Sequence, residues 1–247
     1  LDLSQVMAGP FCCMLLGDMG ADVIKVEPPG TGDQTRKSMG FRMKGEDSPG
    51  FLALNRNKRS LTADLKDPED VARLRALCAE ADILVENFRA GVVARLGLGY
   101  DDVRAVNPRI VYCAISGYGQ SGPYAGKGAF DVTVQGMSGL MSVTGEAEAP
   151  PVKCGVPVGA FCAGLYAACT ITAALMRARE TGEGAFIDCS MLGSLIGVAA
   201  LQTSEYFGTG AAPGRLGSAH PRNAPYQAYK ARDDYFIIAA GNDKLWH

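Results

Sequence analysis

Histidine and tryptophan are nearly absent from this chain of 247 residues, which carries two of the first and one of the second. The histidines, His220 and His247, lie far from most of the eight cysteines at 12, 13, 78, 113, 154, 162, 169 and 189, and no two cysteines form a C-x-x-C pair. A zinc site is therefore not expected. A disulfide framework is not expected either, because a chain this long and this regular buries its own core, so reduced thiols are the default. A Ser–His–Asp set is not evident: Ser218-Ala-His220-Pro221 reads as a loop. Phosphate-loop templates fail as well. Gly126-Lys127 has Ser121 where a glycine is required and Gly128 where a Ser or Thr is required, and no G-x-G-x-x-G opens a helix after a strand.

Charge of one sign is also missing. Lys and Arg number 24 against 26 for Asp and Glu, a net of −2, with 20% charged and 47% apolar residues. That balance is ordinary for a globular chain and excludes a polyanion binder or a charged disordered tail. Residues 155–176 hold no charge and are long enough to span a bilayer. They are rich in Gly, Ala, Cys and Thr, and Pro157 interrupts their start, so a buried helix is expected and no membrane partner. The first residue is Leu1, not Met, with no basic n-region or apolar h-region, and the last residues follow an apolar run. Both ends are expected to be cut.

Strand and helix signals alternate along what is there. Strands are predicted at 1–6, 21–27, 59–64, 82–86, 109–116 and 185–189, and helices at 10–19, 67–80, 101–106 and 161–179. Asp67-Pro68-Glu69-Asp70 is a helix start, with an N-cap acid, a proline in the first turn and acids against the dipole. Such alternation implies α/β architecture with a covered parallel sheet. Gly and Pro become dense from about 208 to 225, which reads as a linker, and residues 226–240 begin another module.

The informative pieces are spread out: Val6-Met-Ala-Gly-Pro10, Gly17-Asp-Met-Gly-Ala-Asp-Val-Ile-Lys-Val-Glu27, Gly32-Asp-Gln-Thr-Arg36, Asn55-Arg-Asn-Lys-Arg-Ser60, Val85-Glu-Asn-Phe88, Gly91 through Arg95-Leu-Gly97, Ser116-Gly-Tyr-Gly119, Phe130-Asp131, and Gly155-Val-Pro-Val-Gly-Ala160 with the helix after it. Singly, each reads as a turn, a strand end or a connection. In this order they resemble the class III CoA-transferases, the formyl-CoA transferase/carnitine-dehydratase type, over essentially the whole chain.

The resemblance implies a Rossmann-like large domain with a parallel sheet over 1–195, lacking its C-terminal completion. It implies a linker over 196–222, the start of a smaller domain over 223–247, and an interlocked homodimer. It implies acyl-CoA and carboxylic acid substrates, no permanently bound cofactor, no metal and no nucleic acid. A cytoplasmic location is expected, or a mitochondrial matrix or peroxisome in a eukaryote. CoA contacts are implied at Val6, Met7, Ala8, Ala63, Asp64, Lys66, Asn87, Phe88 and Arg95, with Phe130 beside them. Arg56, Lys58 and Arg59 are phosphate candidates on charge alone. A phosphate-binding arginine of the family falls on Pro28, so Arg36 or Lys37 would have to replace it.

The catalytic aspartate of the family falls on Ala160, after Gly159. A carboxylate at a helix start is held ionised by unpaired N–H groups and can attack a thioester, giving an anhydride and then an aspartyl-CoA thioester. Ala160 removes that nucleophile and keeps the scaffold. It stands either for a deliberate Asp→Ala change or for a natural member without transfer activity, a plain acyl-CoA-binding protein. A racemase branch of the same fold needs a histidine where Phe130 stands, which disfavours it. Asp131 is expected to be a polar member of the site.

Overall fold

The computed structural model describes residues 1–38, 40–43, 45 and 47–247. Two compact units divide the chain, one of Leu1–Val134 and Pro157–Leu195, the other of Gln135–Val156 and Ile196–His247.

Five strands of the first unit are β1 (Val23–Glu27), β2 (Lys58–Thr62), β3 (Ile83–Glu86), β4 (Val111–Ser116) and β5 (Ala185–Ser190). The chain's helices are α1 (Ala8–Asp18), α2 (Thr35–Ser38), α3 (Pro49–Asn55), α4 (Pro68–Glu80), α5 (Val92–Arg95), α6 (Tyr100–Val106), α7 (Asp131–Met137), α8 (Val158–Thr181), α9 (Met191–Val198), α10 (Ala200–Thr209) and α11 (Asp243–Trp246).

β1 pairs with β2, β3 with β4 and β4 with β5, every pair parallel. Residues 1–3 close the gap between the two groups. Asp2 N–H donates to Ile24 O at 2.9 Å and Val26 N–H to Asp2 O at 2.8 Å on one side. Leu3 N–H donates to Val85 O and Val85 N–H to Leu1 O, both at 2.9 Å, on the other. The spatial order is therefore β2, β1, residues 1–3, β3, β4, β5.

The central strand β4 is buried at all six positions, as expected for a sheet covered on both faces. Its alternate side chains feed two cores. Val111, Cys113 and Ile115 pack with Cys12 and Leu16 of α1 and Ala163, Ala167 and Ile171 of α8. Tyr112 and Ala114 pack with Leu74 and Cys78 of α4 and Val103 of α6. Helix α4 starts as its sequence predicts: Asp67 accepts from Glu69 N–H at 2.9 Å and Pro68 opens the helix. By length and composition α8 could cross a membrane; here its small residues Gly159, Ala160, Ala163, Gly164, Ala167 and Ala168 are buried within this unit.

Three expectations shift. The first strand ends at residue 3 rather than 6, because Val6 takes φ +72° and the backbone before it is held by side chains. The long helix begins at Val158, so Ala160 lies within its first turn. Residues 135–156, assigned to the large domain by sequence, group with 196–247, and the expected linker over 196–222 contains all of α10.

In the second unit, β6 (Tyr226–Lys230) and β7 (Tyr235–Ala239) form an antiparallel hairpin. Arg215 donates to the carbonyls of Glu146, Ala147 and Ala149. His220 acts as a loop organiser: its Nδ1 accepts the N–H groups of Arg222 at 3.2 Å and Asn223 at 3.0 Å.

Candidate functional site

From residues 1–3 the sheet grows in two directions, through β1 to β2 and through β3 to β5. In open α/β sheets a crevice forms outside the C-terminal strand ends where the order reverses. The segments leaving that point are residues 4–8, after the first strand, and residues 87–91, after β3. Asn87 ties them together. Its Oδ1 accepts Gln5 N–H at 2.8 Å and its Nδ2 donates to Gln5 O at 2.6 Å. Val6, Met7, Ala8, Asn87 and Phe88, which the resemblance implies as CoA contacts, thus flank one reversal point.

Helix α1 carries this point toward α8. Gly164 permits the approach, since a Cβ there would lie 2.8 Å from Ala8 O and 2.8 Å from Phe11 Cδ1. The Phe11 and Phe161 rings meet at 4.8 Å. Ala160, 3% exposed, joins the same apolar cluster as Ala8, with Met7 packed against it.

Ala160 is the third residue of α8, whose N-cap, Pro157, offers no side-chain cap. Asp131 substitutes for one: its Oδ1 accepts Ala160 N–H at 2.9 Å. Gly159 makes room, because a Cβ there would stand 3.0 Å from Asp131 Oδ1 and 2.8 Å from Val134 Cγ2. The first turn of α8 therefore already holds a carboxylate side chain against one of its N–H groups.

The remaining candidates divide by sheet end. Ala63, Asp64 and Lys66 follow the C-terminal end of β2, with Ala63 buried and the other two exposed. Arg95 is exposed at the end of α5, and Phe130 is 80% exposed just before α7. Arg56, Lys58 and Arg59 instead enter β2 at its N-terminal end, away from the others.

Lys58, a phosphate candidate on charge alone, has a side chain only 2% exposed. Its three N–H bonds go to Asp2 Oδ2, Pro10 O and Asn55 Oδ1, each at 2.9 Å. Arg56 and Arg59 are exposed and held by Asp18 and Asp22, each at 2.5 Å. Arg36 is gripped by Glu27 at 2.7 Å and Asp47 at 3.0 Å and lies 3.8 Å over the Phe51 ring. Burial would raise Glu27, but hydrogen bonds from Arg36, Ser60 and the Asp33 N–H hold it down at about 2. Arg36 thus joins Glu27, Asp47 and Phe51 in one clamp.

Glu86 escaped the sequence reading. It is 5% exposed and accepts Phe88 N–H at 2.8 Å. Burial pushes it up to about 7, against that hydrogen bond. Its parity with Leu84 on β3 was the available signal, since alternate strand residues share a face. Gly117-Tyr-Gly119-Gln-Ser-Gly122 has dinucleotide-loop spacing but leads into turns rather than a helix. Among the described residues no group of three His, Cys, Asp or Glu is placed to hold a metal.

Clefts open on this unit. One of about 510 Å³ lies at the N-terminal strand ends, beside Asp22, Ile83 and Arg179. One of about 460 Å³ runs between β2 and α4, beside Ala63 and Leu74. Ala160 lines neither.

Residues 1–247 match the family described as CoA-transferase family III. The chain belongs to that family. It is 44% identical to the succinate–glutarate CoA-transferase of Agrobacterium fabrum, over 98% of this chain and 62% of the relative. It is 42% identical to human succinyl-CoA:glutarate CoA-transferase, over 99% and 56%. A CAIB/BAIF family protein of Brucella suis shares its fold at TM-score 0.91 and 43% identity, over 98% of this chain and 65% of that one. An aspartate-to-alanine mutant of Rv3272 from Mycobacterium tuberculosis also matches, at TM-score 0.84 and 30% identity, over 99% and 63%. The chain spans about three fifths of the length of such relatives.

Proposed function

We propose that this chain is the CoA-binding part of a CoA-transferase that moves CoA from an acyl-CoA donor to a carboxylic acid, with alanine at the nucleophile position. A parallel sheet that grows in two directions from residues 1–3 supports a doubly wound, Rossmann-like reading, in which ligands bind where the order reverses. Val6, Met7 and Ala8 on one side and Asn87 and Phe88 on the other would take CoA there. The exposed Lys66 and Arg95 would meet its phosphates. The rest of the longer protein, and a second copy in a homodimer, would close the site.

One observation carries the reading. Position 160 lies in the first turn of α8, in the same cluster as Ala8, with its own N–H on a carboxylate. A carboxylate introduced there would be stabilised as an anion by the helix start. It would attack the thioester carbonyl and expel CoA thiolate, leaving an acyl-aspartyl anhydride. The thiolate would then attack the aspartyl carbonyl and release the donor acid. The acceptor carboxylate would repeat the sequence in reverse, leave as the new CoA ester and restore the nucleophile. Backbone N–H groups would stabilise each oxyanion.

Relatives named for succinate and glutarate support short dicarboxylates as the first pair to try. The test is Ala160→Asp in the full-length protein, supplied with succinyl-CoA and glutarate. Glutaryl-CoA should form, and hydroxylamine should trap an acyl-enzyme. Neither product, in a folded variant that binds CoA, would sink the transferase reading.

Ala160 as it stands favours a second reading, a non-catalytic acyl-CoA-binding protein. That reading predicts tight binding without turnover in the unaltered chain and no gain from Ala160→Asp. A racemase remains disfavoured, because Phe130 cannot shuttle a proton.

A further inference from the structure

Val6 is a β-branched residue at φ +72°, in a region that costs such residues free energy and persists only where surroundings enforce it. The enforcing groups are four buried charges. Asp33, fully buried, accepts from Val6 N–H at 3.5 Å and from Thr35 N–H at 2.9 Å through Oδ1. Its Oδ2 meets Lys25 Nζ at 2.9 Å. Lys25, 1% exposed, donates to Ser4 O at 2.8 Å. Asp2, also fully buried, takes Ser4 N–H at 2.9 Å and the Ser4 hydroxyl, and pairs with Lys58 at 2.9 Å. Two acids and two lysines balance, and between them they hold the backbone of Ser4, Val6 and Pro10. Asn87 holds Gln5. A buried lattice of this kind is costly to desolvate, and stability alone would be served as well by apolar packing. Here it ends on a strained turn at the sheet's reversal point.

We propose that Lys25 and Asp33 are positioning residues, which touch no ligand but hold Val6 left-handed so that residues 4–8 are preformed to accept CoA. This rests on the CoA-binding reading above. Where only a fraction of free molecules has the binding-competent loop, apparent affinity falls by that fraction. The lattice keeps the fraction near one.

The experiment measures CoA affinity by calorimetry on the full-length protein. If the unaltered protein binds no CoA, the function proposed above fails first. If it binds, the neutral pair Lys25→Met/Asp33→Asn should weaken CoA about tenfold, as Val6 relaxes out of its strained region. Adding Val6→Gly should then recover most of that loss, since glycine takes positive φ at no steric cost. Affinity unchanged in the pair, or no recovery with glycine, overturns the proposal. Should the pair fail to fold, a second comparison decides. Val6→Gly alone should unfold at a higher temperature than Val6→Ala. A Val6→Ala protein as stable as Val6→Gly overturns the enforced strain.

Discussion

Asp131 Oδ1 accepts the backbone N–H of Ala160 at 2.9 Å, across 29 residues of sequence, and caps a helix whose own N-cap position is proline. Asp131→Ala should therefore cost about 1–2 kcal/mol, the usual loss for a removed cap. Asp131→Asn keeps an acceptor oxygen and loses only the charge, so it should cost less than half as much. Urea unfolding of the three proteins checks the order. Equal stability of the alanine variant and the parent would mean that the contact does not cap α8.

Gly159 tests the same corner sterically. A methyl there would sit 2.8 Å from Val134 Cγ2 and 3.0 Å from Asp131 Oδ1. Gly159→Ala gains helix propensity, yet overpacking of a closed corner outweighs it. A net loss of about 1–3 kcal/mol is expected, read as a lower thermal midpoint. A gain would show that α8 shifts freely at its start.

The sheet was legible because its strands carry local signals. The apolar run over β4 and the Asp67-Pro68 helix start needed no tertiary knowledge. The charged residues were not legible in the same way. Lys58 sits among Arg56 and Arg59 in sequence and reads as a surface cation, but its partner Asp2 is 56 residues away. Val6 favours extended backbone by type, and the groups that hold its left-handed turn are distant in sequence: Asp33 accepts from Val6 N–H and Asn87 from Gln5 N–H. Position 160 was placed at a helix start from the Gly-Val-Pro-Val-Gly run. That Asp131 would cap the same turn is a long-range pairing that the local pattern does not encode.

Arg36 gives a prediction that separates clamp from ligand. Its two carboxylate partners leave Glu27, 4% exposed, dependent on it. Because Glu27 is held below its ordinary value, its contribution is present above about pH 4.5 and lost as pH falls toward 2. Arg36→Met should cost about 2–3 kcal/mol at pH 7, below the cost of breaking a fully buried pair because Arg36 is partly exposed. It should also move acid unfolding to higher pH. CoA affinity of the folded fraction should change less than threefold. A loss of a hundredfold would return Arg36 to the phosphate site.

Glu86 gives the opposite pH dependence. Burial raises it from about 4.5 to about 7, against a hydrogen bond from the Phe88 N–H. A carboxyl raised in the folded state favours folding while protonated. That contribution is full below about pH 4.5 and is lost as pH rises through 7. The rise corresponds to on the order of 3 kcal/mol. Glutamine keeps an acceptor for Phe88 N–H and never ionises. Glu86→Gln should therefore match the parent near pH 4.5 and exceed it increasingly up to about pH 8, where the difference levels off. Tyr112 and Cys113 on the neighbouring strand also feel Glu86, but both stay protonated over this range and leave the profile to one group. Chemical denaturation from pH 4.5 to 8.5 measures it. A pH-independent difference between the two proteins would mean that Glu86 is ionised in the fold throughout, with a cation or water answering its charge.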